Sequence, residues 1–220
     1  MRLLLLLVAL SSAPAMAVEE APYTTLEERG EFSLRQYQAY VVAETAVEGR
    51  FEDVGSEAFR RLFGYISGGN RSAQSIAMTA PVEQVAASEK IAMTAPVTQE
   101  KSGDRWRVAF VLPSSYTLAT APQPNDARVT LALVPERLVA AVRYSGTWSR
   151  SRYEENLNAL ERFIVEQGLE RTAEPIFARY DPPFTPWFLR RNEILIPVQR
   201  AAGPGDSARA RPAAPEVKPE

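Results

Sequence analysis

The 220-residue chain contains no cysteine and no histidine. The first absence excludes a disulfide framework, a thiolate nucleophile and any cysteine-based metal site. The second removes the commonest general base and the commonest zinc ligand. A Ser-His-Asp triad is therefore impossible. Lysine is scarce, with only Lys90, Lys101 and Lys218. Formal charge is −2, which offers no basic excess for neutralising nucleic-acid phosphates. The apolar run Leu3–Leu10 is too short to span a bilayer.

What is present is ordinary for a globular protein, at 45% apolar and 24% charged residues. The length suffices for one sizeable domain or two small ones. Arg2, the apolar run and Ala15-Met16-Ala17 read as a secretory leader covering residues 1–17, with Val18 as the mature start. That predicts a periplasmic or secreted protein without a transmembrane span in its mature form. Residues 201–220 hold several prolines and glycines and almost nothing large and apolar. Such a segment cannot offset its ordering entropy, so a disordered tail is expected. The folded domain is placed over 18–200.

Ile-Ala-Met-Thr-Ala-Pro-Val stands twice, at Ile76–Val82 and Ile91–Val97. An internal echo of this kind points to paired, extended segments, with Pro81 and Pro96 ending the pairing. The copies carry Met78 and Met93, the only methionines beyond the leader. A second echo is looser. Tyr40–Phe51 and Leu138–Trp148 are both β-rich, both end in glycine-x-aromatic, and both precede a helical pattern. This suggests two related halves.

The first helix is predicted over Asp53–Ile66. Val54, Ala58, Leu62, Tyr65 and Ile66 share one face at 3.6 periodicity. Phe59 and Phe63 widen that face at one edge, with Arg60 just beyond it and Arg61 at the opposite edge. Gly68-Gly69-Asn70 ends the helix. The second is predicted over Arg152–Gln167, with Ser151 and Glu154 as a capping box. Its buried stripe is Tyr153, Leu157, Leu160 and Ile164, and Gly168 supplies the C-terminal cap. Strands are expected at Phe32–Tyr37, Arg107–Leu112, Arg128–Val134, Ile176–Tyr180 and Glu193–Val198. A hairpin is expected at Pro135. Asp181-Pro182-Pro183 and Pro186 predict a rigid surface loop. The fold class is α+β: an antiparallel sheet, curled toward a barrel, with both helices packed on it.

Three pieces, in order, carry a family resemblance. They are Tyr65-Ile66-Ser67-Gly68-Gly69-Asn70 with Ile76–Val82, then Gly146-x-Trp148, then Arg179-Tyr180-Asp181-Pro182-Pro183 with Arg190-Arg191-Asn192-Glu193-Ile194. This set resembles the SOUL haem-binding protein family over about residues 23–198. The resemblance implies two pseudo-symmetric halves of antiparallel strands with one helix each, in a distorted β-barrel. It implies non-catalytic binding of haem or another tetrapyrrole, against an apolar surface that includes the first helix, with basic groups near the ring carboxylates. The matching positions are Phe59, Arg60, Arg61 and Phe63. Aromatics stand at 59 and 63 where relatives often carry methionine, and Gly64 stands where some carry lysine.

Each of these residues also has a plainer reading. Phe59 and Phe63 could stack on a porphyrin or complete the core. Arg60 could hold a carboxylate or simply be solvated. Met78 and Met93 could bind iron through sulfur, though extended context favours core packing. Without histidine or cysteine, iron coordination would fall to methionine, tyrosine or solvent. Glu193 could pair with an arginine, and Asn192 could fix a turn. Tyr180 and Asp181 fit a turn better than a catalytic pair. Trp187 and Phe188, if exposed, would mark a contact surface. The main functional expectation is reversible tetrapyrrole binding. The alternative is a protein-interaction module on the same fold that has lost its ligand.

Overall fold

The computed structural model describes residues 18–51, 53–72 and 88–201. Its strands are β1 (Tyr23–Arg29), β2 (Phe32–Tyr37), β3 (Tyr40–Glu48), β4 (Asn70–Arg71), β5 (Val97–Ser102), β6 (Arg105–Val111), β7 (Gln123–Pro124), β8 (Val129–Val134), β9 (Arg137–Tyr144), β10 (Leu169–Arg171), β11 (Ile176–Arg179) and β12 (Asn192–Arg200). Two helices, α1 (Val54–Ile66) and α2 (Arg150–Glu166), complete the frame. The leader, the first heptapeptide copy with Met78, and the tail beyond Ala201 lie outside the described residues.

The large sheet is antiparallel and runs β1-β2-β9-β12-β11-β5-β6-β3-β8, with β10 added beside β12. It is open, with edges at β1 and β8. The expected distorted barrel is therefore not closed.

The expected hairpin at Pro135 is not formed either. β8 pairs with β3, and β9 pairs with β2 and β12. The register explains why. Tyr37 stands opposite Arg137 and Tyr40 opposite Val134, so the spacing is kept across both two-residue breaks. β2–β3 and β8–β9 are thus two long bent strands running antiparallel. Pro135 interrupts their ladder because it has no N–H to donate, but it does not turn the chain back.

Alternate residues feed different cores. On β9, Ala140, Val142 and Tyr144 pack with Leu160, Phe163 and Ile164 of α2. On β6, Val108 and Phe110 pack with Val54, Ala58 and Leu62 of α1. The opposite face of the sheet gathers Val42, Ala109, Val111, Val139, Ala141, Ala178 and Leu195, with no helical residue among them. Strands from both ends of the sheet meet there, so it curls over itself. Burial on both faces accounts for the nearly continuous apolar runs of β6, β9 and β12.

Both helix entrances use the predicted glycine. Gly49 and Gly146 hold φ of +138° and +129°, a region open to residues without a Cβ. The capping box shifts. Ser149 caps α2, its Oγ accepting from the Arg152 N–H at 3.4 Å. The expected Glu154 partner instead pairs with Arg150 at 2.8 Å. The exit of α1 is held by Asn70, which donates to the Tyr65 and Glu89 carbonyls at 2.7 and 2.8 Å and accepts from the Glu89 N–H at 2.9 Å.

The heptapeptide's second copy also departs from expectation. Residues 88–96 form no strand beyond a single bridge between Ala95 and Glu20. Pro96 immediately precedes β5, so it opens the pairing rather than ending it.

Two glycines near the end of α1 should respond oppositely to alanine. A Cβ on Gly69 would stand 2.6 Å from the Gly64 carbonyl oxygen, whereas one on Gly64 meets open space. Gly69→Ala is expected to cost about 1–3 kcal/mol. Gly64→Ala, inside a helix, is expected to stabilise by about 0.5–1 kcal/mol. Urea denaturation of both variants checks the signs; shifts in the same direction would contradict this account of the helix exit.

Candidate functional site

α1 buries Val54, Ala58, Leu62, Tyr65 and Ile66, the face that the periodicity predicts. Phe59 and Phe63 do not complete that core. They are 37% and 48% exposed. Their rings stack in parallel, with centroids 5.8 Å apart and planes 11° apart. Phe59 is rooted by an edge contact with Phe110 of β6 at 5.3 Å. One side of the pair therefore rests on the sheet's core and the other meets solvent.

Arg60 is exposed on the same outer surface of α1. Gly64, one turn on from Arg60, leaves open space next to Phe63. Arg61 turns the other way. It pairs with Glu57 and donates to Thr45 Oγ1 at 3.3 Å and the Ala46 carbonyl at 3.2 Å. The structure thus brings Phe59, Arg60 and Phe63 together and takes Arg61 out of the set. Met93 is 41% exposed, so the core role favoured for it from sequence is not realised. The reason is that its segment lacks the strand context that would have turned it inward.

A second cluster of polar groups lies buried on the helix-free face. Glu193 is fully buried. Arg35 donates to both its oxygens, at 2.6 and 3.2 Å. Arg191 Nε donates at 3.0 Å and the Tyr180 hydroxyl at 2.9 Å. Arg35 also bonds Ser33, and Arg191 also bonds Glu20. Burial would raise the Glu193 carboxyl, but the two guanidiniums outweigh it and hold the group below its ordinary range. Burial and the neighbouring carboxylate push Tyr180 well above the usual phenol value, so it stays protonated. Arg35, Arg191 and Glu193 line a cavity of about 400 Å³ with Tyr23 and Arg143. A carboxylate held ionised by two arginines, next to a phenol held neutral, offers no group poised to exchange a proton near neutral pH.

The remaining motif residues are structural. Asn192 accepts from Trp148 Nε1 at 2.8 Å and donates to the Gly146 carbonyl at 3.2 Å, which ties β12 to the start of α2. Asp181 accepts the Arg191 N–H at 2.6 Å, which ties together the two ends of the β11–β12 loop. The guanidinium carbons of Arg179 and Arg190 stand 4.8 and 4.4 Å from the centre of the Trp148 ring. Burial pushes Arg179 down to about 10. Among the described residues, no group of three or more histidine, cysteine, aspartate or glutamate side chains could hold a metal.

Sequence reading missed Arg35, the partner that neutralises Glu193. Its signal was available only as parity. Ser33, Arg35 and Tyr37 alternate on one face of β2, but nothing in one strand says that the face is covered.

The matching family model is that of the SOUL heme-binding protein, over residues 18–197. This chain belongs to that family. The chain is also 25% identical over 164 residues to heme-binding protein 1 of Xenopus tropicalis, covering 74% of this chain and 81% of the relative. Among solved structures it is similar to the C-terminal domain of EcmrR, with a TM-score of 0.56 and 11% identity, covering 81% of this chain and 99% of the other. It is likewise similar to a hydrolase from Listeria innocua, with a TM-score of 0.51 and 11% identity, covering 77% and 92%. At that identity the two structural likenesses speak for the fold alone.

Proposed function

We propose that this chain binds haem or a related tetrapyrrole reversibly, making and breaking no covalent bond, with the ring laid against Phe59 and Phe63 on the outer face of α1. The observation that carries this reading is the exposed, parallel stack of those two rings. Parallel aromatic faces open to solvent suit a flat apolar ligand better than water. Family membership and the likeness to heme-binding protein 1 support the ligand class. Arg60 gives a charge-assisted hydrogen bond to a ring carboxylate. Gly64 leaves room for the ring edge to approach the helix.

The donor set fits stacking and fits iron poorly. The chain has neither histidine nor cysteine. Met93, itself 41% exposed, and Met78, outside the described residues, are the soft ligands that the sequence offers; otherwise solvent or tyrosine completes the iron. The grip therefore comes from apolar contact, with an affinity in the micromolar range, about −8 kcal/mol. Haemin titration of the purified chain should give a saturable Soret change in that range. A strictly linear, unsaturable spectrum would remove the reading.

The chain's organisation follows the same reading: a leader over 1–17, export to the periplasm or exterior, a binding domain over 18–200 and a tail. Two related halves are supported by the sheet order, in which α1 follows β3 and α2 follows β9 at matching places on either side of the β11–β5 pair. A second reading, a protein-contact module, is favoured by one observation. Trp187 and Phe188 are exposed beside each other, with ring centroids 5.6 Å apart. A partner captured equally by the wild type and by Phe63→Ala, without haemin saturation of either, would favour that reading.

A further inference from the structure

The loop between β11 and β12 carries four large apolar side chains in six positions: Phe184, Trp187, Phe188 and Leu189, exposed by 85%, 54%, 57% and 65%. Their exposure is built in. Arg190 donates from Nε to the Thr185 carbonyl at 2.8 Å and from Nη2 to the Pro183 carbonyl at 2.6 Å, closing the loop from inside. Trp187 and Phe188 form part of a short 3₁₀ turn. The Trp187 carbonyl accepts the Gly146 N–H at 3.1 Å, which pins the loop to the start of α2. The apolar tips cannot fold back without breaking these bonds.

The start of α2, which the Gly146–Trp187 hydrogen bond brings beside the loop, is basic. α2 has no acidic residue in its first turn. Arg150 and Arg152 stand there instead, at the positive end of the helix dipole, where basic residues are disfavoured. Arg150 shares its charge with Glu154, whereas Arg152 lies exposed, close against Gly146. Arg190 lies under the loop against Trp148. Aromatic tips beside the exposed Arg152 suit an anionic lipid surface: the rings and Leu189 enter the headgroup boundary while Arg152 meets a phosphate. A lipid interface also needs no shape complement to a protruding loop, which a protein pocket would. No helix among the described residues is long and apolar enough to cross a membrane, so the contact is interfacial.

We propose that the Phe184–Leu189 loop, with Arg152 beside it, docks this protein on anionic membrane surfaces. The test is co-sedimentation of the full chain with vesicles of phosphatidylethanolamine and phosphatidylglycerol, against pure phosphatidylcholine vesicles. The triple variant Phe184→Ser, Trp187→Ser, Phe188→Ser should lose about tenfold or more of its partitioning. Arg152→Glu should lose severalfold, and added salt should weaken the wild type. Brominated lipid should quench the wild type more than Trp187→Phe, which reports the loop itself and not the N-terminal apolar run. All substituted side chains are exposed, and circular dichroism verifies folding. Equal sedimentation of wild type and triple variant would overturn the proposal. So would a loop-dependent homodimer seen without lipid, or loop-dependent binding to a soluble protein in place of vesicles. Haemin titration is read separately, so this proposal and the ligand-binding one fail independently.

Discussion

Replacing Glu193 with glutamine is expected to destabilise the domain by about 3–5 kcal/mol. The carboxylate is buried and accepts from Arg35, Arg191 and Tyr180. An amide of the same shape leaves two guanidiniums facing each other without that carboxylate between them, with Glu20 offsetting Arg191 in part. In a domain of this size the loss corresponds to a fall in Tm of roughly 6–20 °C. The pH dependence carries the same sign. A carboxyl depressed in the folded state contributes stability above its unfolded value of about 4.3, and that contribution is lost as pH falls through the folded value. The gap between wild type and Glu193→Gln should therefore narrow in acid. Urea midpoints at neutral pH and at several acid values check both points. A variant within about 1 kcal/mol of wild type at neutral pH would mean that the network contributes little.

The second large effect belongs to the ligand. Phe59→Ala with Phe63→Ala should weaken haemin binding by about 2–4 kcal/mol, or roughly thirtyfold to several hundredfold. Stability should change far less than for a core aromatic, because both rings are substantially exposed and only Phe59 touches the core, through Phe110. Arg60→Ala should give a smaller loss, confined to ligands that carry carboxylates. Parallel titration and urea denaturation separate the two quantities. A double variant that binds haemin as tightly as wild type would place the ring elsewhere.

Much of the frame was legible in the sequence because local chemistry dictated it. The 3.6-residue stripe of α1, the positive-φ glycines at both helix entrances and the strand at Phe32–Tyr37 each follow from a few adjacent residues. What failed was long-range. Pro135 looked like a hairpin because a proline between two strands usually turns the chain. Here the pairing partners come from residues about a hundred positions away, and the bent strands run on. Arg35 and Glu193 are 158 positions apart, so no local pattern links them. Met93 looked like core because its heptapeptide has strand composition; in the fold the segment is held by Ile91 donating to the Ile66 carbonyl, without a ladder. On the candidate site, spacing correctly put Phe59 and Phe63 at the edge of the apolar face. It could not say whether the neighbouring strands reach far enough to cover them, and they do not. The apolar loop was half legible: Trp187 and Phe188 stood out among prolines, while Phe184 and Leu189 required the tether made by Arg190.

Iron is the variable that isolates the central claim, since aromatic stacking should hold the macrocycle whether or not a metal sits in it. Equilibrium titration of the chain with haemin and with metal-free protoporphyrin IX measures this directly. The two dissociation constants should agree within about threefold, a difference below 1 kcal/mol, and both should weaken together in the Phe59/Phe63 double alanine variant. Tight binding of haemin alone, unmoved by that variant, would show that a metal ligand holds the complex and would contradict the account.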